Sequence, residues 1–81
     1  MKEYIIKGFE EDICDFNENA DWMGLFNEFH CTMRKSRIDN NTLLLSFGIE
    51  KSLLFGYPTE KEERLTKRLS DECEKFKVII Q

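Results

Sequence analysis

The alternation of apolar and polar residues predicts two kinds of strand in this chain. The opening YIIKGF, residues 4–9, is short, apolar and β-branched, which is typical of a strand. Residues 42–50, TLLLSFGIE, alternate well and predict a strand with one buried side, formed by Leu43, Leu45, Phe47 and Ile49. The next apolar run, SLLFGY at residues 52–57, is expected to pair with that strand as a hairpin.

Two longer segments have the three- and four-residue spacing of amphipathic helices. One is predicted from about Ala20 to Lys35, with Asn19 or Asp21 as its cap and a stripe formed by Trp22, Leu25, Phe26, Phe29 and Met33. The other begins after Pro58 and carries a narrow stripe of Leu65, Leu69, Cys73 and Phe76. We therefore expect two helices that each bury one face.

Three shorter segments have less decisive patterns. Phe9, Ile13 and Phe16 have helical spacing, which fits either a single turn or a loop held by three apolar anchors. Residues 38–42, IDNNT, have the chemistry of a tight turn, because Asn tolerates left-handed backbone angles. Residues 77–81, KVIIQ, are expected to form a last strand or a frayed helix end.

The order strand, helix, two or three strands, helix, strand predicts an α+β fold. We expect residues 1–81 to form a single domain with an antiparallel sheet of three to five strands and two amphipathic helices on one face. The favoured topology is the split βαβ, or ferredoxin-like, order. With helices on one face only, Leu44 and Leu54 would lie on the open face, and such a surface usually binds a partner or a second copy.

Composition narrows the class of protein. The 81 residues are 41% apolar and 35% charged, which indicates a globular chain. No apolar run approaches the roughly 18 residues of a membrane helix, and the start lacks a secretory apolar region, so we expect a soluble, cytoplasmic protein without membrane contact. The three cysteines have no CxxC spacing, which favours reduced thiols and predicts no metal site or cofactor.

The net charge of −4 is concentrated in the first 30 residues, which hold eight acids and two lysines. An acidic segment with this bias favours a protein partner with a basic surface and disfavours direct nucleic-acid binding. Its simplest structural interpretation is a solvated acidic loop. The candidate partner-binding residues are Glu10, Glu11, Asp12, Asp15, Glu18 and Asp21.

The stretch EFHCTMRKSR, residues 28–37, places a histidine, a cysteine and a small basic patch close together. Neighbouring helical residues diverge, so His30 and Cys31 cannot share a ligand, and we expect a boundary histidine and a surface cysteine. The alternative site, Arg34, Lys35 and Arg37, could contact phosphate, or could complement the dipole at a helix C-terminus.

No catalytic motif is present in the sequence, so we expect a non-enzymatic binding module that acts stoichiometrically as an inhibitor or a regulatory or adaptor protein. Small acidic inhibitors encoded by phages and mobile elements, of the anti-CRISPR or anti-restriction type, have this general profile, which is an analogy of class. The alternatives are an RNA-binding domain that uses the basic patch and strand aromatics, and a homodimeric accessory protein paired edge to edge through residues 4–9 or 77–81.

Overall fold

A computed structural model describes residues 2–48 and 58–81 of the chain. It is a small α+β structure with one four-stranded antiparallel sheet and three helices in this part of the chain. The number of strands lies within the predicted range, but the prediction of two helices is wrong, because the segment after the first strand forms an additional one. The elements in order are β1 (Lys2–Lys7), α1 (Glu10–Asn19), α2 (Trp22–Phe29), β2 (Thr32–Asp39), β3 (Thr42–Gly48), α3 (Pro58–Lys75) and β4 (Ile79–Ile80).

The sheet has the strand order β2-β3-β1-β4. Strand β3 pairs antiparallel with both β1 and β2, and β1 pairs antiparallel with β4. The last strand formed by the C-terminal segment is confirmed, and it pairs with Ile6 and Lys7 on the side of β1 that faces away from β3. Those two residues are therefore occupied within the sheet, and edge-to-edge pairing of two copies stays a prediction. The predicted hairpin partner of β3, residues 52–57, lies outside the described residues, and so do Ile49 and Leu54.

Helix α1 replaces the predicted turn or acidic loop. Ile13 and Phe16 are fully buried, so their helical spacing is satisfied by packing against the core. Phe9 precedes the helix and remains 79% exposed, which contradicts its predicted role as an apolar anchor. Three acids in the first turn favour helix formation, because their charges complement the positive end of the helix dipole.

Helix α2 is much shorter than predicted. It begins after Asp21, whose side chain accepts a hydrogen bond from the backbone N–H of Gly24 at 3.0 Å, as expected of a cap. It ends at Phe29, because His30 adopts left-handed backbone angles of φ 47° and ψ 46°. The chain then enters β2, and the predicted turn lies at residues 40–41, between β2 and β3.

The core lies between the sheet and the three helices. Alternate residues of β1 and β3 point into it, as the strand patterns predicted, and the stripe of α3 packs against them. Phe16 makes edge-to-face contacts with Trp22 and Phe76, with ring centroids 5.2 and 5.8 Å away. The fully buried large side chains are Ile6, Ile13, Phe16, Leu25, Leu43, Leu45, Phe47, Leu65 and Leu69.

Candidate functional site

The acidic face of α1 is oriented by the two residues that the helix buries. Ile13 and Phe16 point into the core, and at 100° per residue the opposite side of the helix carries Glu11, Asp15 and Glu18. All three are exposed, and we call them the acidic ridge. Glu10 and Asp12 flank the ridge in the first turn. The helix contains no basic residue, so the five carboxylates form a single negative surface.

The acids of α1 differ in what they do for the helix itself. Glu10, Glu11 and Asp12 lie in the first turn, where they stabilise the N-terminus, and Asp15 accepts a hydrogen bond from the side chain of Asn19 at 2.6 Å. Glu18 lies in the last turn, where a negative charge opposes the dipole and where the helix has no basic residue of its own. Among residues 2–48 and 58–81, no ion pair involves these five carboxylates.

Asp21 has structural partners that the acids of α1 lack. One of its carboxylate oxygens caps α2, and the other accepts a hydrogen bond from Arg68 of α3 at 3.0 Å. Arg68 also approaches Glu28 of α2 at 3.5 Å. Asp21 therefore connects α2 to α3, while its side chain remains 51% exposed, so its part in a partner-binding surface stays a prediction.

Glu72 of α3 is a buried carboxylate that the sequence interpretation missed, and its side chain is only 3% exposed. It accepts hydrogen bonds from the backbone N–H of Asp21 at 2.9 Å, from Lys75 at 2.9 Å and from Arg68 at 3.2 Å. Burial raises the pKa of Glu72, but these donors outweigh burial and hold the pKa below its ordinary value. The available signal was its position at the border of the α3 stripe, three residues after Leu69.

The predicted basic patch is divided between the two faces of β2. Arg34 lies opposite Ser46 on the face away from the helices, whereas Lys35 and Arg37 lie opposite buried residues of β3. The three cations belong to a strand, and not to the end of the helix in which they were predicted. Lys35 nevertheless reaches the C-terminal turn of α1, where it donates to the backbone oxygen of Asn17. Arg34 therefore does not share a face of the strand with Lys35 and Arg37. The RNA-binding alternative stays a prediction.

Lys35 and Arg37 both reach over α1. The ammonium of Lys35 lies 4.7 Å from the centre of the Trp22 ring and donates a hydrogen bond to the backbone oxygen of Asn17 at 2.9 Å. Arg37 donates to the sulfur of Cys14 at 3.3 Å and to two carbonyl oxygens of its own hairpin. These two cations therefore fasten α1 to the sheet.

His30 and Cys31 do not form a site together. His30 is exposed at the end of α2, and Cys31 is buried, which contradicts the predicted surface position of this cysteine. The reason is that Cys31 follows the helix and turns back into the core. Burial raises the pKa of Cys31. Within the described part of the chain, no group of three or more His, Cys, Asp or Glu side chains is placed to hold a metal ion.

An open groove of about 480 Å³ runs between the start of β1 and α3. Its lining mixes acids, bases and hydroxyl groups, so it has no clear preference for one ligand charge.

Among the helices of residues 2–48 and 58–81, none combines the length and the apolar character needed to cross a membrane. No model of a known protein family matches the chain, and no curated protein sequence matches it.

Proposed function

We propose that this protein is a stoichiometric binding module that uses α1 to engage a basic surface on a protein partner. It would act as an inhibitor or as a regulatory or adaptor protein, without catalysis. The observation that carries the proposal is the acidic ridge, whose carboxylates point directly away from the core on a helix that has no basic residue. Such a surface attracts a basic partner from a distance and rejects acidic ones.

Glu18 supports a binding role because the fold gains nothing from it. A negative charge in the last turn of a helix costs about 0.3 to 1 kcal/mol. Lys35 of β2 donates to the Asn17 carbonyl in that turn, but no cation of the described residues forms an ion pair with Glu18 itself. The acids of the first turn, by contrast, have a structural explanation in the helix dipole. Glu18 has no such structural explanation, and binding to a partner provides one for it.

Phe9 supplies an apolar element beside the acids. It is 79% exposed and directly precedes Glu10 in the chain, at the N-terminus of the helix that carries the acids. Aromatic residues are enriched among the side chains that contribute most to protein binding, whereas exposed charges contribute mainly to association rate and selectivity. We propose Phe9 as the anchor of the interface.

The proposal includes a biological class, a location and a topology. Small size, net negative charge and free cysteines support a cytoplasmic inhibitor of the phage or mobile-element kind, such as anti-CRISPR or anti-restriction proteins.

For the fold, we propose the split βαβ, ferredoxin-like topology. Its support is that β1 and β2 each pair antiparallel with β3, and so run parallel to one another on its two sides.

The test compares two variants of identical charge. The ridge variant carries Glu11→Gln, Asp15→Asn and Glu18→Gln, and the control variant carries Glu63→Gln, Asp71→Asn and Glu74→Gln on the exposed side of α3. Both lose three negative charges at exposed positions. Affinity capture from the native cell, with quantitative mass spectrometry, should retain a basic protein on the wild type and the control but not on the ridge variant.

Titration of the purified partner then measures stoichiometry and salt dependence. We expect one-to-one binding that weakens as salt rises, with a flatter salt dependence for the ridge variant because fewer charges are involved. Phe9→Ser should weaken binding without changing the salt dependence. Equal retention by the ridge and control variants would contradict the assignment of α1 as the binding surface.

A further inference from the structure

The face of the sheet away from the helices has a regular arrangement of side chains. Residues on β1, β3 and β2 that share this face lie in three rows across the strands, as the registers define them. We call this surface the open face. Its rows are Glu3–Ser46–Arg34, Ile5–Leu44–Ser36 and Lys7–Thr42–Asp39.

The middle row of the open face is apolar at its centre. Ile5 is 39% exposed and stands directly beside Leu44, which is half-buried. Ile79 of β4 lies opposite Lys7 at the border of the same face and is 65% exposed. The buried helix residues pack with the other face of the sheet, through Tyr4, Ile6, Leu43, Leu45 and Phe47.

Four charges of alternating sign surround this apolar centre. Glu3 and Arg34 are the ends of one outer row, and Lys7 and Asp39 are the ends of the other. Each acid therefore has a base across the strands and another along its own strand. The backbone N–H of Asn41 donates to Asp39 at 2.8 Å, and the ammonium of Lys7 donates to Thr42 at 2.8 Å. These hydrogen bonds orient the charged side chains of the Lys7–Thr42–Asp39 row.

This pattern is complementary to itself. When two copies stack face to face about a two-fold axis parallel to the strands, Glu3 meets Arg34 of the second copy and Lys7 meets its Asp39. When the axis runs across the strands, Glu3 meets Lys7 of the second copy and Arg34 meets its Asp39. Either axis pairs every acid with a base and places Ile5 and Leu44 at the centre, as a two-fold interface requires.

We propose that the open face binds a second copy of this chain, which forms a homodimer with the two sheets packed against each other. This dimer uses neither strand edge, since the contact lies on the faces of the sheets. The acidic ridge is on the helix side of the molecule and stays accessible in the dimer. The dimer is therefore independent of the proposed function, and either one can fail without the other.

The first test measures oligomeric mass as a function of concentration. Light scattering or sedimentation of the wild type should show a monomer–dimer equilibrium with a dissociation constant on the order of 100 µM or below, as expected of a small interface. Ile5→Glu should raise this constant by about tenfold or more. The matched control is Met23→Glu on α2, which adds the same charge at an exposed apolar position on the helix side and should change nothing.

Charge exchange tests the pairing itself. Glu3→Lys should weaken the dimer by about three- to tenfold, because a two-fold axis repeats each lost pair. Adding Arg34→Glu should restore the dimer if the axis follows the strands, whereas adding Lys7→Glu should restore it if the axis crosses them. Failure of both double variants to restore binding would overturn the proposed face.

A measurement on the wild type alone protects the test against variants that fail to fold. Amide chemical shifts recorded from about 20 µM to 1 mM should move at Glu3, Ile5 and Leu44 and stay constant on α1. A monomer at about 1 mM overturns the proposal, and so do concentration-dependent shifts confined to the helices or to the outer edge of β2.

Discussion

At the scale of single residues, the three cysteines show how position decides reactivity. Cys14 is half-buried on α1 beside Arg37, whereas Cys31 and Cys73 are 3% exposed. Burial, together with the nearby Glu72, raises the pKa of Cys73 to about 12, and burial also raises the pKa of Cys31. The thiolate is the reactive form of cysteine. Both buried thiols therefore react slowly with reagents, because reagents cannot reach them and because they stay protonated.

We therefore predict that iodoacetamide at pH 8 modifies Cys14 alone in the folded protein. Intact mass spectrometry should show one added group, and peptide mapping should place it on Cys14. In denaturant all three cysteines should react, which is the control for reagent and time. Modification of Cys31 or Cys73 at the rate of Cys14 would contradict the burial of these side chains.

Residue-level predictions succeeded where the element was identified correctly. The alternating pattern identified Leu43, Leu45 and Phe47 as buried, and the narrow stripe of α3 identified Leu65 and Leu69. Periodicity gives the direction of a side chain only within a known element. Phe9 and Cys31 lie just outside helices, which explains why they departed from the pattern. Phe26 lies within α2 and is nevertheless 53% exposed, so helical spacing alone did not decide its burial.

At the scale of elements, the end of α2 was the main error. Helical spacing continues through Met33 in the sequence, but pairing with β3 takes residues 32–39 into the sheet. A strand that is exposed along most of its length needs no regular apolar pattern, so its residues give a weak strand signal. The pairing partner lies on the far side of a turn, and single-sequence periodicity does not include that interaction.

Strand β2 also provides a test of how α1 is fastened to the sheet. Lys35→Ala removes a hydrogen bond to Asn17 and the contact with the ring of Trp22, so we expect a loss of about 1 to 2 kcal/mol in the free energy of unfolding. Arg34→Ala is the matched control, because it removes a neighbouring cation from the opposite face of the same strand. Urea denaturation of both variants measures the difference.

The control defines how the result is interpreted. Arg34→Ala should change the free energy of unfolding by less than about 0.5 kcal/mol, as is usual for exposed side chains. Equal losses in the two variants would mean that strand propensity, and not the contact with α1, is responsible. The comparison uses dilute protein, so that self-association through Arg34 does not contribute.

At the scale of the whole molecule, a charged network joins α2 to α3. Arg68 contacts three carboxylates, those of Asp21, Glu28 and Glu72. Glu72 also accepts hydrogen bonds from the ammonium of Lys75 and from the backbone N–H of Asp21. The acids of α1 could be proposed as a site from sequence because they are contiguous. The role of Asp21 could not, because its partner Arg68 is 47 positions away and only the folded chain brings them together.

The network makes stability depend on pH through Glu72. Its pKa is lowered in the folded state, so its contribution to stability is present above its ordinary pKa of 4.5 and is lost as pH falls through the lower folded value. Glu72→Gln removes the buried carboxylate and leaves Arg68 and Lys75 without its charge. We expect a loss of about 2 to 3 kcal/mol at pH 7, because charged hydrogen bonds to a buried group are broken.

The free energies of unfolding of the wild type and Glu72→Gln should therefore come closer together between pH 7 and pH 3. Acid protonates the wild-type carboxylate, and the wild type then loses the stabilisation that its charge provided. Glu74→Gln, at an exposed position two residues later, is the control and should follow the wild type at every pH. Urea titrations at four or five pH values measure the three curves. A constant difference across this range would show that Glu72 acts through its shape and packing, and that the charge network does not hold α2 against α3.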